Sequence, residues 1–405
     1  MDAHLGAHAF RRTDDAVGWP MNADVMIVGA GPAGSSIALR LARVGVDVAL
    51  LERSRFPRTK VCGEYLSPGA IAALRDLRCA DAVLSGAHRL RRVSLAAFGS
   101  DPVLLTLPGD GALSLSRATL DNALRDAALS CGAREVHGAF LHAVDEGEML
   151  RVAFRDADGA DQSSRVRVLI GADGAWSTVA ARCGLAGAQG RGGRWAVGGH
   201  LRGASSRSDD TLEMCIGAGG YYARNPLGDE ITNAMLVMPR PVAGDEAADA
   251  IVDELSAGRL RFEASRLEKR VAVGPLRYEP ARLVAGRVML TGDAAGMLDP
   301  FVGQGVAIAL ESSSAGADAA LALLAGQRAS HVARALGRAR RELVLPRRIL
   351  AAAVDLVIRT PLMRARAARS VRRDPAVAET VLAAIAGAAP AARALSPALL
   401  ARLLA

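Results

Sequence analysis

Residues 23–53 read ADVMIVGAGPAGSSIALRLARVGVDVALLER, and this stretch decides the fold. Val25–Val28 is a short apolar run of the kind that forms a buried parallel strand. The turn Gly29-Ala30-Gly31-Pro32-Ala33-Gly34 follows, and Ser35–Val44 then carries apolar residues at helical spacing. Gly45 ends that helix, and Val46–Leu51 makes a second strand closed by Glu52. Alone, a G-x-G-x-x-G is weak. Between a strand and a helix, with an acid about twenty residues on, it predicts a βαβ unit that binds a dinucleotide. Gly29 permits the tight turn, Gly31 lets a pyrophosphate approach the backbone, and Gly34 lets the helix pack on the sheet. The helix opens at Ala33 and its neighbours, where unpaired N–H groups favour a doubly negative group. Glu52 suits the hydroxyls of an adenosine ribose.

A nicotinamide enzyme needs only this element, whereas FAD is longer and must be held by distant sequence. Arg287–Leu290 is a further buried strand, ending in Thr291-Gly292-Asp293, and Pro300-Phe301-Val302-Gly303-Gln304-Gly305 opens another helix. Asp293 is placed for ribityl hydroxyls. The Gly303–Gly305 loop would bring N–H groups and a helix dipole to the pyrimidine edge of a flavin. FAD is therefore the expected cofactor.

Between these motifs lie an amphipathic helix, Ala118–Ser130, and a strand–turn–strand–turn–strand pattern from Glu135 to Ile170 that runs into Gly171-Ala172-Asp173-Gly174. Residues 190–282 change texture: the strands Arg194–Leu201, Thr211–Ile216 and Asn233–Met238 and the helix Asp245–Ser256 suggest a mostly antiparallel insert. The expected fold class is α/β with α+β character: a Rossmann-like dinucleotide domain, an inserted antiparallel β domain and a helical end, which resemblance to a known flavoprotein superfamily sharpens to a three-layer FAD domain with a β substrate domain. Its divisions are a flexible tail at 1–21, the FAD domain at 22–189 with an excursion near 90–110 toward the substrate domain, that domain at 190–282, the FAD domain's return at 283–330, and a helical segment at 331–405 broken by prolines.

Of the 405 residues, 51% are hydrophobic and 23% charged, which excludes a disordered chain. No apolar run of about 18 residues is evident, so no transmembrane segment is expected. Five cysteines without a C-x-x-C pair argue against disulfides and zinc, and favour the cytoplasm. The seven histidines are scattered without metal-ligand spacing, so no metal is expected; His200, in the β insert, is within reach of a substrate but reads better as a core or surface residue. Of the net charge of +8, residues 321–405 carry +11, from fifteen arginines against four acids. No aromatic residue follows Phe301, which argues against nucleic acid. The arginines suit solvated helices, or a basic surface that meets a membrane peripherally or an acidic partner.

With its glycine-rich βαβ unit, a middle Asp-Gly (Asp173-Gly174) and a late Gly-Asp (Gly292-Asp293), the chain resembles the FAD-dependent superfamily of aromatic hydroxylases (p-hydroxybenzoate hydroxylase-like), flavin halogenases and geranylgeranyl reductases. The resemblance implies that Asp173 joins the FAD site, that Arg117 lies near the flavin and Arg53 near the adenosine. Residues 57–68, PRTKVCGEYLSP, resemble the geranylgeranyl reductase branch and its bacterial biosynthetic relatives, where the cysteine lies near the reacting end of the flavin. Cys62 and Glu64 are thus the catalytic candidates, Glu64 also being suited to cap a helix, with Tyr65 a further proton source. That branch carries Y-x-W-x-F-P on its substrate sheet, which makes Tyr221, Tyr222, Asn225 and Pro226 the substrate candidates. Here Ala223 and Asn225 replace its aromatics, a change that favours a polar or aromatic substrate over a long isoprenoid. The lack of lysine between 61 and 268 and of any W-x-W argues against halogenation.

The expected function is an FAD-dependent monooxygenase hydroxylating or oxidising an aromatic or polyketide-like secondary metabolite. NADPH or NADH would be the reductant, used directly or through a separate flavin reductase. The alternatives are a geranylgeranyl-reductase-like enzyme that reduces C=C bonds and, third, a non-catalytic flavin-binding protein.

Overall fold

The computed structural model describes residues 22–98, 100–187, 193–203, 209–217, 220–263 and 266–404; the expected tail at 1–21 lies outside them. A central sheet forms around Ala23–Val28, which pairs in parallel with Val48–Glu52 on one side and Asp161–Gly171 on the other. Arg134–Asp145 extends it past Val48–Glu52, and Val288–Leu290 past Asp161–Gly171, both in parallel. Leu150–Asp156 joins Arg134–Asp145 to Asp161–Gly171 as an antiparallel meander.

Ala23–Val28, Val48–Glu52 and Val288–Leu290 are mostly apolar because both faces are covered. Val25, Ile27, Leu50, Val168 and Ile170 pack on the helical layer holding Ile37, Leu120, Leu124 and Leu310. The alternate residues Met26, Leu51 and Leu169 meet Phe140, Phe154 and Val179 on the other face. Each fully buried Leu or Ile here contributes about 1.5–3 kcal/mol. The apolar stretch Gly305–Leu324 is long enough to cross a membrane by length and composition, but 61% of it is buried in the protein, where it belongs to this core.

A second sheet runs in the order Val271–Val273, Trp195–Arg202, Ile231–Met238, Tyr221–Gly228, Thr211–Ile216, Arg92–Ala97, Val103–Thr106. Only Thr211–Ile216 and Arg92–Ala97 pair in parallel; the other neighbours are antiparallel. One face is sealed by the helix Asp245–Ser256, through Tyr222, Leu236, Val252, Leu255 and Phe262. The other face looks toward the ends of the parallel strands.

The chain ends in the helices Ala329–Arg359, Pro361–Arg373, Pro375–Ile385, Ala391–Ala394 and Pro397–Leu404. Prolines begin three of these, where a missing N–H costs nothing. Pro346 departs from the expected punctuation: it lies inside Ala329–Arg359, and the helix continues through it.

Candidate functional site

The strand ends, the glycine turn and the open face of the second sheet enclose one groove of about 980 Å³. At its dinucleotide end the three glycines do different work. Gly29 has φ +102°, and a Cβ there would stand 2.6 Å from the Ala172 carbonyl oxygen. A Cβ on Gly34 would stand 1.9 Å from the Gly29 oxygen, so both positions admit no side chain, and Gly34 is a packing residue behind the groove. A Cβ on Gly31 would approach only Arg58, at 3.6 Å, so this glycine leaves room for a ligand rather than for protein. The helix Pro32–Arg43 begins there without a side-chain cap, leaving its first N–H groups for an anion.

Glu52 is buried, accepting the Ala30 N–H and the Ser54 N–H at 2.9 Å each, which fixes its carboxylate beside the turn. Arg53 also lines the groove, on its exposed side. Arg58 spans this end, 3.3 Å from Asp121 and 3.8 Å from Glu52, and its buried Nε has no hydrogen-bond partner. An uncapped helix terminus, a glycine that keeps space open and an orphaned buried guanidinium N–H together fit the pyrophosphate of a dinucleotide.

Further along, Arg117 makes two 2.8 Å bonds to the fully buried Asp121. Burial opposes its charge, but Asp121 and the adjacent Cys62 sulfur outweigh burial and raise its pKa. Lys60 opens into the groove while protein crowds around it; that desolvation, helped by Arg117 and opposed by Asp293, lowers its pKa. Asp293, Pro300, Gly303 and Gly305 line the same cavity. No atom lies within 4 Å of a Cβ built on Gly305, so its backbone is open to a flavin edge.

Of two residues expected at the cofactor, Gly292 serves the scaffold, and Asp173 is held by it while still lining the groove. A Cβ on Gly292 would meet that of Ala33 at 2.7 Å, so this glycine lets two segments touch. The Asp173 carboxylate accepts from Ser177 Oγ at 2.6 Å and from the Thr178 and Val179 N–H groups at 2.7 and 3.2 Å. It caps the helix Thr178–Arg182, although Asp173 lines the groove.

The loop Cys62-Gly63-Glu64 separates the cofactor end from the substrate end and is pinned from the second sheet. Asn225 Nδ2 donates to the Gly63 and Glu64 carbonyls at 2.9 and 3.1 Å, while its Oδ1 accepts from Ser114 at 3.0 Å. Asn233 Nδ2 donates to the Cys62 carbonyl at 2.7 Å. Glu64, at φ +54°, accepts the Arg117 N–H at 2.7 Å and contacts His200 Nε2 at 2.6 Å. Both its oxygens are committed, so the reading of Glu64 as a free acid is revised to that of a helix cap and domain link. The Cys62 sulfur, which accepts the Glu64 N–H at 3.3 Å, remains on the groove wall.

Beyond this loop the wall is apolar. On Tyr221–Gly228, side chains alternate: Tyr221, Ala223 and Asn225 face the groove, while Tyr222 is buried on the far side against Phe262, its hydroxyl donating to the Arg261 carbonyl. Pro226 also falls outside the lining. The expected substrate roles of Tyr222 and Pro226 are therefore revised, and the Asn225 amide is spent on the loop. Tyr221 packs edge-on against Phe301 at 5.4 Å, and burial pushes its pKa upward. Met214, Met235 and Val237 continue the sheet face, and Leu350, Val354 and Leu382 of the C-terminal helices close the opposite side.

Sequence reading passed over Arg58, Lys60, Asn233 and the role of His200. The signal available for the first two was basic residues directly before Cys62 in a chain with only two lysines.

A three-layer dinucleotide domain carrying a second sheet over its strand ends defines a two-domain flavoprotein oxidoreductase. The chain belongs to the FAD binding domain family, which matches residues 22–344. It is similar to menaquinone reductase of Mycobacterium tuberculosis (strain H37Rv), at 32% identity over 73% of this chain and 76% of that protein. It is similar to digeranylgeranylglycerophospholipid reductase 1 of Methanothermobacter thermautotrophicus, at 28% identity over 70% and 73%. In fold it matches a flavoprotein/dehydrogenase from Cytophaga hutchinsonii, with TM-score 0.76 and 19% identity over 91% of this chain and 93% of that one.

Proposed function

We propose that this protein is an FAD-dependent reductase of a carbon–carbon double bond in a long-chain, lipid-like substrate, with NADPH or NADH as the electron source. One observation carries the reading: past the Cys62–Glu64 loop the groove is walled by aliphatic and methionine side chains from the second sheet and the C-terminal helices. Replacement of two aromatics by Ala223 and Asn225 was expected to suit a polar substrate. The Asn225 amide is instead consumed by three protein partners, so the exchange adds space without adding polarity. Relatives named as reductases of menaquinone and of a geranylgeranylated lipid support the same substrate class.

FAD, when bound and reduced, supplies the hydride. The chain's own residues do the rest. Glu52, Arg58, Gly31 and the first turn of Pro32–Arg43 would hold the dinucleotide, and Arg117 and the Gly303–Gly305 loop its reacting end. The apolar walls align a chain and exclude water. The second hydrogen enters as a proton, for which Cys62 Sγ is the donor best placed, because Glu64 is engaged and burial raises the pKa of Tyr221 and Tyr65, which makes each phenol a weaker acid.

The test is a single turnover without oxygen. Holoenzyme reduced with dithionite is mixed with menaquinone or geranylgeranyl diphosphate, and the product should gain 2 Da. A gain of 16 Da, seen only with NAD(P)H and oxygen, would favour a monooxygenase and overturn the reading.

A further inference from the structure

The helices that close the groove are apolar on two faces. Along Ala329–Arg359, Leu350 and Val354 face the cavity. On another face Leu345, Ile349 and Leu356 are 47%, 48% and 56% exposed, spaced by four and seven residues so that they form one stripe. Across the bend at Thr360, Leu362 is 62% exposed. Large apolar side chains in an outward row cost solubility and call for a cover.

The following helix says what the cover is. Pro361–Arg373, PLMRARAARSVRR, holds five arginines and no acid. Ala367 and Val371 line the cavity, while Arg366, Arg369, Arg372 and Arg373 are exposed. Among the described residues none of these four arginines has a carboxylate partner. Leu362, Arg366, Arg369 and Arg373 recur at helical spacing, which puts an apolar anchor and three cations on one stripe.

We propose that the outer surface of Ala329–Arg373 docks on an anionic lipid bilayer, with Leu345, Ile349, Leu356 and Leu362 entering the interface and the arginines meeting headgroup phosphates. Two weak signals, an apolar stripe and a cationic patch, together give reversible in-plane attachment. Charge complementarity favours this occupant over a second copy of the chain, which would bring the same +11 segment against itself. The cavity wall would then stand against the bilayer. The inference rests on the lipid-substrate reading for its purpose, and its test does not use turnover.

The FAD-loaded full-length protein is sedimented with vesicles of phosphatidylcholine alone or with phosphatidylglycerol. Binding should require the anionic lipid and weaken with salt. Changing Arg366, Arg369, Arg372 and Arg373 to Gln should weaken it by about fivefold per arginine, and Leu345→Asp with Leu356→Asp should abolish it, with the flavin spectrum unchanged in both. A Leu356→Trp reporter should shift its emission to the blue on anionic vesicles only. Equal binding to both vesicles, no binding to either, or an unmoved reporter would overturn the proposal. So would Leu→Asp variants that turn a dimer into a monomer while vesicle binding persists.

Discussion

The Glu64 carboxylate meets the His200 imidazole at 2.6 Å, joining the flavin-side loop to the second sheet across 136 residues of chain. The carboxylate side chain is 2% exposed and the imidazole 22%. Its other oxygen holds the N–H of Arg117, whose guanidinium lies beside Cys62. One buried acid therefore fixes the position of the domain link and the helix start, with the Cys62 sulfur held against its own N–H.

That link makes stability depend on pH. The hydrogen bond from His200 to Glu64 raises the histidine pKa above its ordinary value against the opposing effect of burial; Glu268 adds and Arg202 subtracts. A raised pKa in the fold stabilises fully below the unfolded value of about 6.5, and the contribution disappears as pH rises through the folded value. His200→Gln keeps a donor but removes the charge. It should lose about 1.5–3 kcal/mol at pH 5.5, toward the low end because the ring is partly exposed, and the gap should narrow as pH is raised toward about 8.5. Denaturant melts across that range check it; a gap that widens with pH would contradict the assignment.

The glycine turn separates packing from binding. Gly34→Ala would place a methyl 1.9 Å from a backbone oxygen and should prevent accumulation of folded protein. Gly31→Ala meets nothing nearer than 3.6 Å and has φ −76°, so the melting temperature should be kept. The added methyl occupies the space open to the pyrophosphate, so flavin affinity should fall by tenfold or more, measured by fluorescence on reconstitution.

Arg58 tests the cofactor end from its other side. Arg58→Met preserves the stem and removes the guanidinium that has an unpaired Nε. A hydrogen bond to a charged group contributes about 1.5–3 kcal/mol, or roughly 10- to 150-fold in Kd. The loss should shrink as salt is raised. An unchanged Kd would place the pyrophosphate elsewhere.

How legible this was depends on how local the constraint is. The turn from Gly29 to Gly34 and the acid at Glu52 are set by backbone sterics and strand–helix periodicity inside thirty residues, and the strands appear within two residues of their expected ends. The family resemblance holds over most of the chain. The faces of Tyr221–Gly228 were not legible: alternation is visible in sequence, but which parity meets the groove is decided by Asp245–Ser256 covering the other side. Neither was the Glu64–His200 pair, because two polar residues 136 apart carry no periodic signal. Asn225 misled for the same reason. An amide in a substrate motif looks like a ligand group until its three partners are known.

Ala223 offers the sharpest test of the substrate class. It lines the cavity between Met214 and Met235 of the neighbouring strands, at the position where the resembling reductases hold tryptophan. Ala223→Asp would put a charge into that apolar space without touching the Asn225 contacts or the glycine turn, so flavin content and melting temperature should be retained. If a long chain runs past this strand, KM for a geranylgeranyl-length substrate should rise by tenfold or more, while a substrate shortened by two isoprene units is affected by less than threefold. Losing a few buried methylenes of contact, at about 0.8 kcal/mol each, is enough for that difference. If the substrate is instead a compact aromatic bound at the loop, both lengths should respond alike, and the lipid reading would be lost.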